Sequence, residues 1–136
     1  MMRILLILPI AALLVASANA GPRETLLGEF ATEAKAADPA FTGFSAARGK
    51  TLSVTEFALG KPDTPACRTC HTASPTNMGK TRAGKDIQPM AVSVTPDRYT
   101  VRKKVAKWFR RNCRSVLGRL CTAQEKGDYL TFMISQ

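Results

Sequence analysis

Cys67-Arg68-Thr69-Cys70-His71 is the stretch on which the reading of this chain turns. In an exported protein a C-x-x-C-H run reads as a covalent attachment site for c-type haem, with two thioether-forming cysteines and a histidine that ligates the iron. The spacing suits that chemistry. Two thiols three residues apart can reach the two vinyl groups on one edge of a porphyrin, and the next side chain falls beneath the metal. A structural zinc site would need four ligands and usually a second pair with its own spacing, whereas His71 is the only histidine. A thioredoxin-like redox pair would open a helix inside a βαβ pattern, and the chain has no such pattern.

Upstream, residues 1–20 run from Met1-Met2-Arg3 through an apolar block, Ile4 to Ala16, to Ser17-Ala18-Asn19-Ala20. A short basic start, an apolar core and an A-x-A ending make a secretory signal peptide, so the mature chain is expected to begin at Gly21. The block is too short for a membrane span, which needs about 20 apolar residues, and no later stretch is long and apolar enough. The expected location is the periplasm, where disulfides persist. Residues 21–136 suffice for one small domain with a single core, here a monohaem cytochrome c domain. Without Arg3 there are 19 Lys and Arg against 10 Asp and Glu, a net charge of +9. Nucleic acid is the usual first partner for a basic chain, but export argues against it. An acidic redox partner steered by complementary charge is the better expectation.

The elements read as helices. Leu26, Leu27, Phe30, Ala31 and Ala34 recur at helical spacing over Arg23 to Ala37, and Asp38-Pro39 ends the run. A second helix is expected over Ser45 to Phe57, with Gly49 marking a place where another helix packs closely. Gly60 to Pro65 is a loop that presents the haem motif. Ser74 to Pro96, rich in Gly, Pro, Ser and Thr, reads as loop wrapping the cofactor, since so long an irregular stretch in a small domain needs a function. Thr95 as N-cap, Pro96 in the first turn and Asp97 at the positive end of the dipole predict a helix over Asp97 to Asn112. Val101, Val105, Trp108 and Asn112 line one stripe of it, and Arg102, Lys103, Lys104, Lys107, Arg110 and Arg111 make its other faces basic. Thr122-Ala123-Gln124-Glu125 is a capping box that opens a last helix. Strand signals are absent, so the class is all-α, with four or five helices and long loops.

Cys113 and Cys121 remain after the haem motif takes its pair, and in an oxidising compartment they read as a disulfide. The sixth position of the iron is open at this stage. Bis-histidine ligation is excluded within one chain. Methionine is the usual distal ligand of electron-carrying cytochromes c, and Met78, Met90 and Met133 are candidates. Met78 follows the motif too closely and Met133 sits in the last helical turn, which leaves Met90. Yet Met90 comes early, with a further helix still to follow, whereas Asn112 lies 41 residues past His71 and just before the last helix. An asparagine there is equally well read as a helix C-terminal cap.

Several segments resemble one family. Gly60-Lys61-Pro62-Asp63-Thr64-Pro65-Ala66-Cys67, Lys80-Thr81-Arg82-Ala83-Gly84-Lys85-Asp86-Ile87, Thr95-Pro96-Asp97-Arg98-Tyr99 and Arg111-Asn112-Cys113-Arg114-Ser115-Val116-Leu117-Gly118-Arg119 are similar to the oxygen-binding cytochromes c called sphaeroides haem proteins. The resemblance covers roughly Phe44 to Gln136. It implies a class I cytochrome c fold around one covalent haem c, held by Cys67, Cys70 and His71. It also implies that Asn112 ligates ferric iron and leaves on reduction, opening the ferrous site to oxygen or nitric oxide, and that the adjacent disulfide is Cys113 to Cys121. Where that family commonly has glycine after the histidine, this chain has Thr72.

The resemblance thus implies a periplasmic cytochrome that accepts electrons from another cytochrome, dihaem or membrane-bound with an acidic docking face, and binds a diatomic ligand. Lys80, Arg82 and Lys85 are candidates to pair with the haem propionates. Trp108, one turn before Asn112, either packs on the haem or belongs to the core. The alternatives are an ordinary His/Met electron carrier using Met90, and a haem-based peroxidase or nitric oxide or oxygen reductase. For the last, no second acid or base is recognisable near the iron.

Overall fold

The computed structural model describes residues 21–136; the expected signal peptide, 1–20, lies outside the described residues. Five helices and one very short sheet make up the domain: α1 (Pro22–Ala37), α2 (Ala46–Val54), α3 (Arg68–His71), β1 (Gly79–Lys80), β2 (Asp86–Ile87), α4 (Arg102–Val116) and α5 (Ala123–Ile134). The all-α expectation holds, with one addition. Within the expected loop of residues 74–96, Gly79 pairs with Ile87 and Lys80 with Asp86 in an antiparallel ladder, and β1 packs against α3. Among the described residues no helix is long and apolar enough to cross a membrane.

Helices α1 and α2 both pack on α5. Leu26, Phe30 and Ala34 of α1 are buried, as their spacing predicts. Leu26 and Phe30 join Tyr129, Leu130, Phe132 and Met133 of α5, together with Met90 and Val105, in the core. Helix α2 begins where Ser45 caps it, its Oγ accepting from the Arg48 N–H at 3.3 Å. Gly49 is the close-contact point the sequence suggests: a Cβ there would lie 2.0 Å from the Asp128 carbonyl oxygen of α5. The same crossing is clamped by charge. Buried Asp128 accepts from the Ser45 N–H at 2.6 Å and from two guanidinium nitrogens of Arg48 at 2.7 and 2.8 Å. The capping box of α5 forms in full, Thr122 Oγ1 accepting from the Glu125 N–H and the Glu125 carboxylate from the Thr122 N–H.

Helix α4 departs from the sequence reading at both ends. It starts at Arg102, five residues later than expected, because the expected cap residues are engaged elsewhere. Thr95 Oγ1 donates to the Pro89 carbonyl at 2.9 Å, and Arg98 donates from Nε to the same oxygen at 3.0 Å and from Nη2 to the Gln88 carbonyl at 2.5 Å. Tyr99 then adopts a positive φ of 63°, which no helix continues through. The C-terminus lies four residues beyond Asn112, at Val116, followed by Leu117 as cap and Gly118 in the left-handed region at φ 72°. Asn112 is therefore a helix-interior residue, and the C-cap reading of it is corrected.

Candidate haem site

The C-x-x-C-H run forms a single helical turn. The His71 N–H donates to the Cys67 carbonyl at 3.0 Å, which sets Cys67, Cys70 and His71 along one short segment. Cys67 and Cys70 are unbridged, whereas Cys113 and Cys121 form the expected disulfide with Cα atoms 5.5 Å apart. Burial pushes the Cys67 thiol up to about 11. Burial, then the positive charge of Arg98, pushes His71 down to about 4, so its imidazole is neutral at neutral pH, the form in which histidine binds a metal. His71 Nδ1 is buried and has no hydrogen-bond partner. Two unbridged thiols one turn apart, a neutral imidazole beside them and a ring nitrogen that the chain leaves unmatched form a donor set that fits a c-type haem.

Thr72, the residue after His71, has φ 63° and ψ 168°. That region is essentially reserved for glycine and costs other residues about 1–3 kcal/mol. Here a threonine takes the turn, its Oγ1 donating to the Ser74 carbonyl at 2.7 Å.

Two distant segments are tied together by the loop before the motif. Thr64, buried three residues before Cys67, places its Oγ1 3.0 Å from Ser115 Oγ and 3.3 Å from the Ser115 carbonyl oxygen. The Lys61 N–H donates to that same carbonyl at 2.7 Å. Ser115 lies on α4 one turn past Asn112, so the loop that delivers Cys67 also fixes the helix that carries Asn112. The disulfide from Cys113 anchors the same end of α4 to the segment leading into α5.

The expected apolar stripe of α4 divides into two. Val105, Cys113 and Val116 are buried. Val101 and Trp108 are 55% and 45% exposed and Asn112 is half-buried, on a strip turned about 75° around the helix at 3.6 residues per turn. Trp108 is thus not a core residue, and Lys107 and Arg111 lie over its ring at 5.6 and 5.3 Å.

Met90, the methionine candidate, is buried close to the motif. It is 8% exposed and lines the same crevice as Cys67, His71, Tyr129 and Met133. Its backbone N–H donates to Pro75 and its carbonyl accepts from the Tyr99 hydroxyl at 3.0 Å. Met78 is 46% exposed and Met133 is buried in α5. The propionate candidates sit on the exposed hairpin, and two of them have partners of their own. The hairpin register sets Lys80 against Asp86, an ion pair of 2.6 Å, and Arg82 pairs with Asp63, while Lys85 is exposed. Two of the three cations already have carboxylate partners.

Sequence reasoning placed Tyr129 on the buried side of the last helix but did not bring it, or Tyr99, to the motif. Tyr129 lines its crevice, and burial, followed by the proximity of Tyr99 and Cys67, holds the Tyr129 hydroxyl well above its ordinary value. Burial raises Tyr99 as well. Only the positive φ and the hydroxyl-to-Met90 bond single out Tyr99, and neither has a local sequence signal. No carboxylate lines the crevice, and among the described residues no group of three His, Cys, Asp or Glu side chains could hold a metal ion.

Residues 39–133 match the family described as "Domain of unknown function (DUF1924)". The chain is 45% identical over 130 residues to the cytochrome c-type protein SHP of Cereibacter sphaeroides, a match spanning 93% of this chain and 95% of that protein. It is 31% identical over 114 residues to cytochrome c'' of Methylophilus methylotrophus, spanning 83% of this chain and 79% of the relative. The structure of oxidized SHP, described as an oxygen-binding cytochrome c, superposes with a TM-score of 0.79 at 42% identity, covering 87% of this chain and all of that one (100%). Oxidized cytochrome c'' superposes with a TM-score of 0.74 at 30% identity, covering 85% and 94%.

Proposed function

We propose, because this chain belongs to the family of SHP cytochromes c and carries one covalent haem c, that it is an exported electron acceptor whose diatomic-ligand site is closed by Asn112 in the oxidised state. Haem c supplies an iron that alternates between ferric and ferrous states and binds oxygen or nitric oxide where a coordination position is open. Cys67 and Cys70 tether it, and His71, neutral through burial, offers a ring nitrogen. Asn112 offers an amide oxygen, a hard and weak donor that ferric iron tolerates and ferrous iron holds poorly. Asn112 would thus be the residue that gives up its position on reduction and frees it for a diatomic ligand. A methionine sulfur would favour the ferrous state and keep the site closed.

The observation that supports this reading is that Asn112 is not a helix cap. It lies in the interior of α4, on the half-exposed strip beside Trp108, next to the disulfide-bonded Cys113 and one turn before Ser115, which the loop preceding Cys67 binds. The electron donor we expect is an acidic cytochrome, dihaem or membrane-bound, and the compartment is the periplasm. Absorption spectra of the holoprotein test the reading: a high-spin ferrous spectrum that shifts with carbon monoxide supports it, and a sharp low-spin ferrous alpha band indifferent to carbon monoxide overturns it. In Asn112→Ala the ferric spectrum should change, and an unchanged one removes Asn112 as the ligand. Cell fractionation, with a mature N-terminus at Gly21 by mass spectrometry, checks the export.

A further inference from the structure

Helix α4 carries no acidic residue, and its outward face is unlike the rest of the surface. At 3.6 residues per turn, Lys103, Lys107, Arg110 and Arg114 fall within about 60° of one another, in a single line about 140° around the helix from the buried face. Lys104 and Arg111 flank that line. All six are exposed, and among the described residues none belongs to an ion pair. Outside α4 six of the twelve cations of residues 21–136 face a carboxylate, Arg48, Arg68, Lys80, Arg82, Arg119 and Lys126, and the other six are distributed over α1, α2 and the loops rather than grouped on one element. The line is bounded in sequence by paired arginines, Arg102 with Glu29 and Arg119 with Glu125. Six unmatched charges on one helix thus make up much of the mature chain's excess of +9. Like charges three and four residues apart on a helix repel and weaken it, so the arrangement costs stability in the isolated protein.

We propose that this line, Lys103, Lys107, Arg110 and Arg114 with Lys104 and Arg111 beside it, is the docking surface for an acidic redox-partner protein. The proposal rests on the reading above that the protein accepts electrons, and it names where the donor sits. Charge complementarity selects the occupant: a line of unmatched cations raises the association rate of an acidic surface and suppresses basic ones. A lipid surface is disfavoured, because an interfacial helix must bury a broad apolar face in the headgroup layer, and Val105, Cys113 and Val116 of α4 face the core, leaving Trp108 as the exposed large apolar side chain of the helix. The line borders Trp108, whose half-exposed ring lies between Lys107 and Arg111. Tryptophan and arginine together are the residue types that anchor protein interfaces. A partner seated there rests on the helix that carries Asn112.

The test uses the holoprotein, with flavodoxin as an acidic electron-transfer protein, phosphatidylglycerol vesicles as an anionic lipid surface and neutral lumiflavin semiquinone as a small reductant. The quadruple variant Lys103→Gln/Lys107→Gln/Arg110→Gln/Arg114→Gln should bind flavodoxin at least about tenfold more weakly by calorimetry at low ionic strength. The gap should close near about 0.5 M NaCl, where screening is strong. Lys107→Gln should cost more affinity than Lys50→Gln, which removes the same charge from an exposed, unpaired lysine of α2. Equal effects of those two single substitutions, or an unaffected quadruple variant, overturn the proposal. So does stripe-dependent binding to vesicles with none to flavodoxin, which makes the surface lipid-facing. Lumiflavin should reduce wild type and quadruple variant at the same rate, and a loss confined to the variant overturns docking in favour of a direct effect on the haem site. Failure of lumiflavin to reduce even the wild type defeats the electron-acceptor reading instead, and the calorimetry still judges the surface.

Discussion

The hydroxyls of Thr64 and Ser115 meet at 3.0 Å, joining the loop three residues before Cys67 to the helix turn just past Asn112. A haem-tethering motif and a residue 41 positions beyond its histidine are thereby held in register by one side-chain contact and two bonds to a single carbonyl. Replacing Thr64 by valine keeps the volume and removes the contact from a buried site. We expect a loss of about 1–2 kcal/mol in urea unfolding of the holoprotein, with a broadened ferric spectrum as Asn112 loses its register. An unaltered spectrum would show that the disulfide alone positions α4.

Thr72 occupies backbone geometry suited to glycine. Thr72→Gly should exceed Thr72→Ala in stability by about 1–2 kcal/mol. Against wild type, the glycine variant gains from relief of strain and loses the bond to the Ser74 carbonyl, so its net change should be small. Equal stability of the two variants in denaturant titration would mean that the turn relaxes.

The disulfide between Cys113 and Cys121 closes a nine-residue loop at the end of α4. By the chain-entropy argument its removal, as Cys113→Ser/Cys121→Ser, should cost about 2–3 kcal/mol. Thermal unfolding with and without reductant measures it, and reductant should lower the wild-type midpoint while leaving the double variant unchanged.

Asp128 is buried and takes three hydrogen bonds from α2 and its cap. Asp128→Ala should lower stability by about 2–3 kcal/mol, leaving the Ser45 N–H and the Arg48 guanidinium without their acceptor. Because Asp128 does not line the crevice of His71 and its bonds run to α2 and its cap, carbon monoxide binding to the reduced protein should persist in the variant below its unfolding midpoint.

Arg119, first, and then the Thr122 backbone hold the Glu125 carboxyl below its ordinary range. A carboxylate with a depressed folded-state pKa contributes stability that is present above the unfolded value, near about 4.3, and is lost as pH falls toward the folded value. Glu125→Gln should therefore be less stable than wild type at neutral pH, with the difference shrinking in acid. A difference constant from pH 7 to pH 3 would remove the ion pair as its source.

The elements that were legible in the chain are those governed by near neighbours. The C-x-x-C-H turn depends on a three-residue spacing, the capping box of α5 on residues 122 to 125, and the core face of α1 on a repeat of three and four. Gly49 was legible too, since a glycine inside a helix implies a close approach, here to the Asp128 carbonyl. The start of α4 was not. Thr95, Pro96 and Asp97 carry every local signal of a helix N-terminus, but Pro89 and Gln88, six to ten residues earlier, claim the side chains of Thr95 and Arg98. A local cap is worth about 1 kcal/mol, and several simultaneous bonds outweigh it. The end of α4 was readable at Gly118, a stop signal that Asn112 obscured.

Identity follows from the chain alone: five residues specify a covalent haem with one histidine, four cysteines divide into a tether and a bridge, and the charge balance specifies a basic surface. The tertiary structure decided the surroundings of the motif. It buried Met90 in the crevice that His71 lines, set Lys80 and Arg82 against carboxylates, and carried Asn112 into the interior of α4. The physical reason is distance along the chain. Motif chemistry acts over a few covalent bonds, whereas the choice among Met90, Asn112 and the basic loop depends on contacts such as Thr64 with Ser115, 51 residues apart, which exist only once the chain has closed on itself.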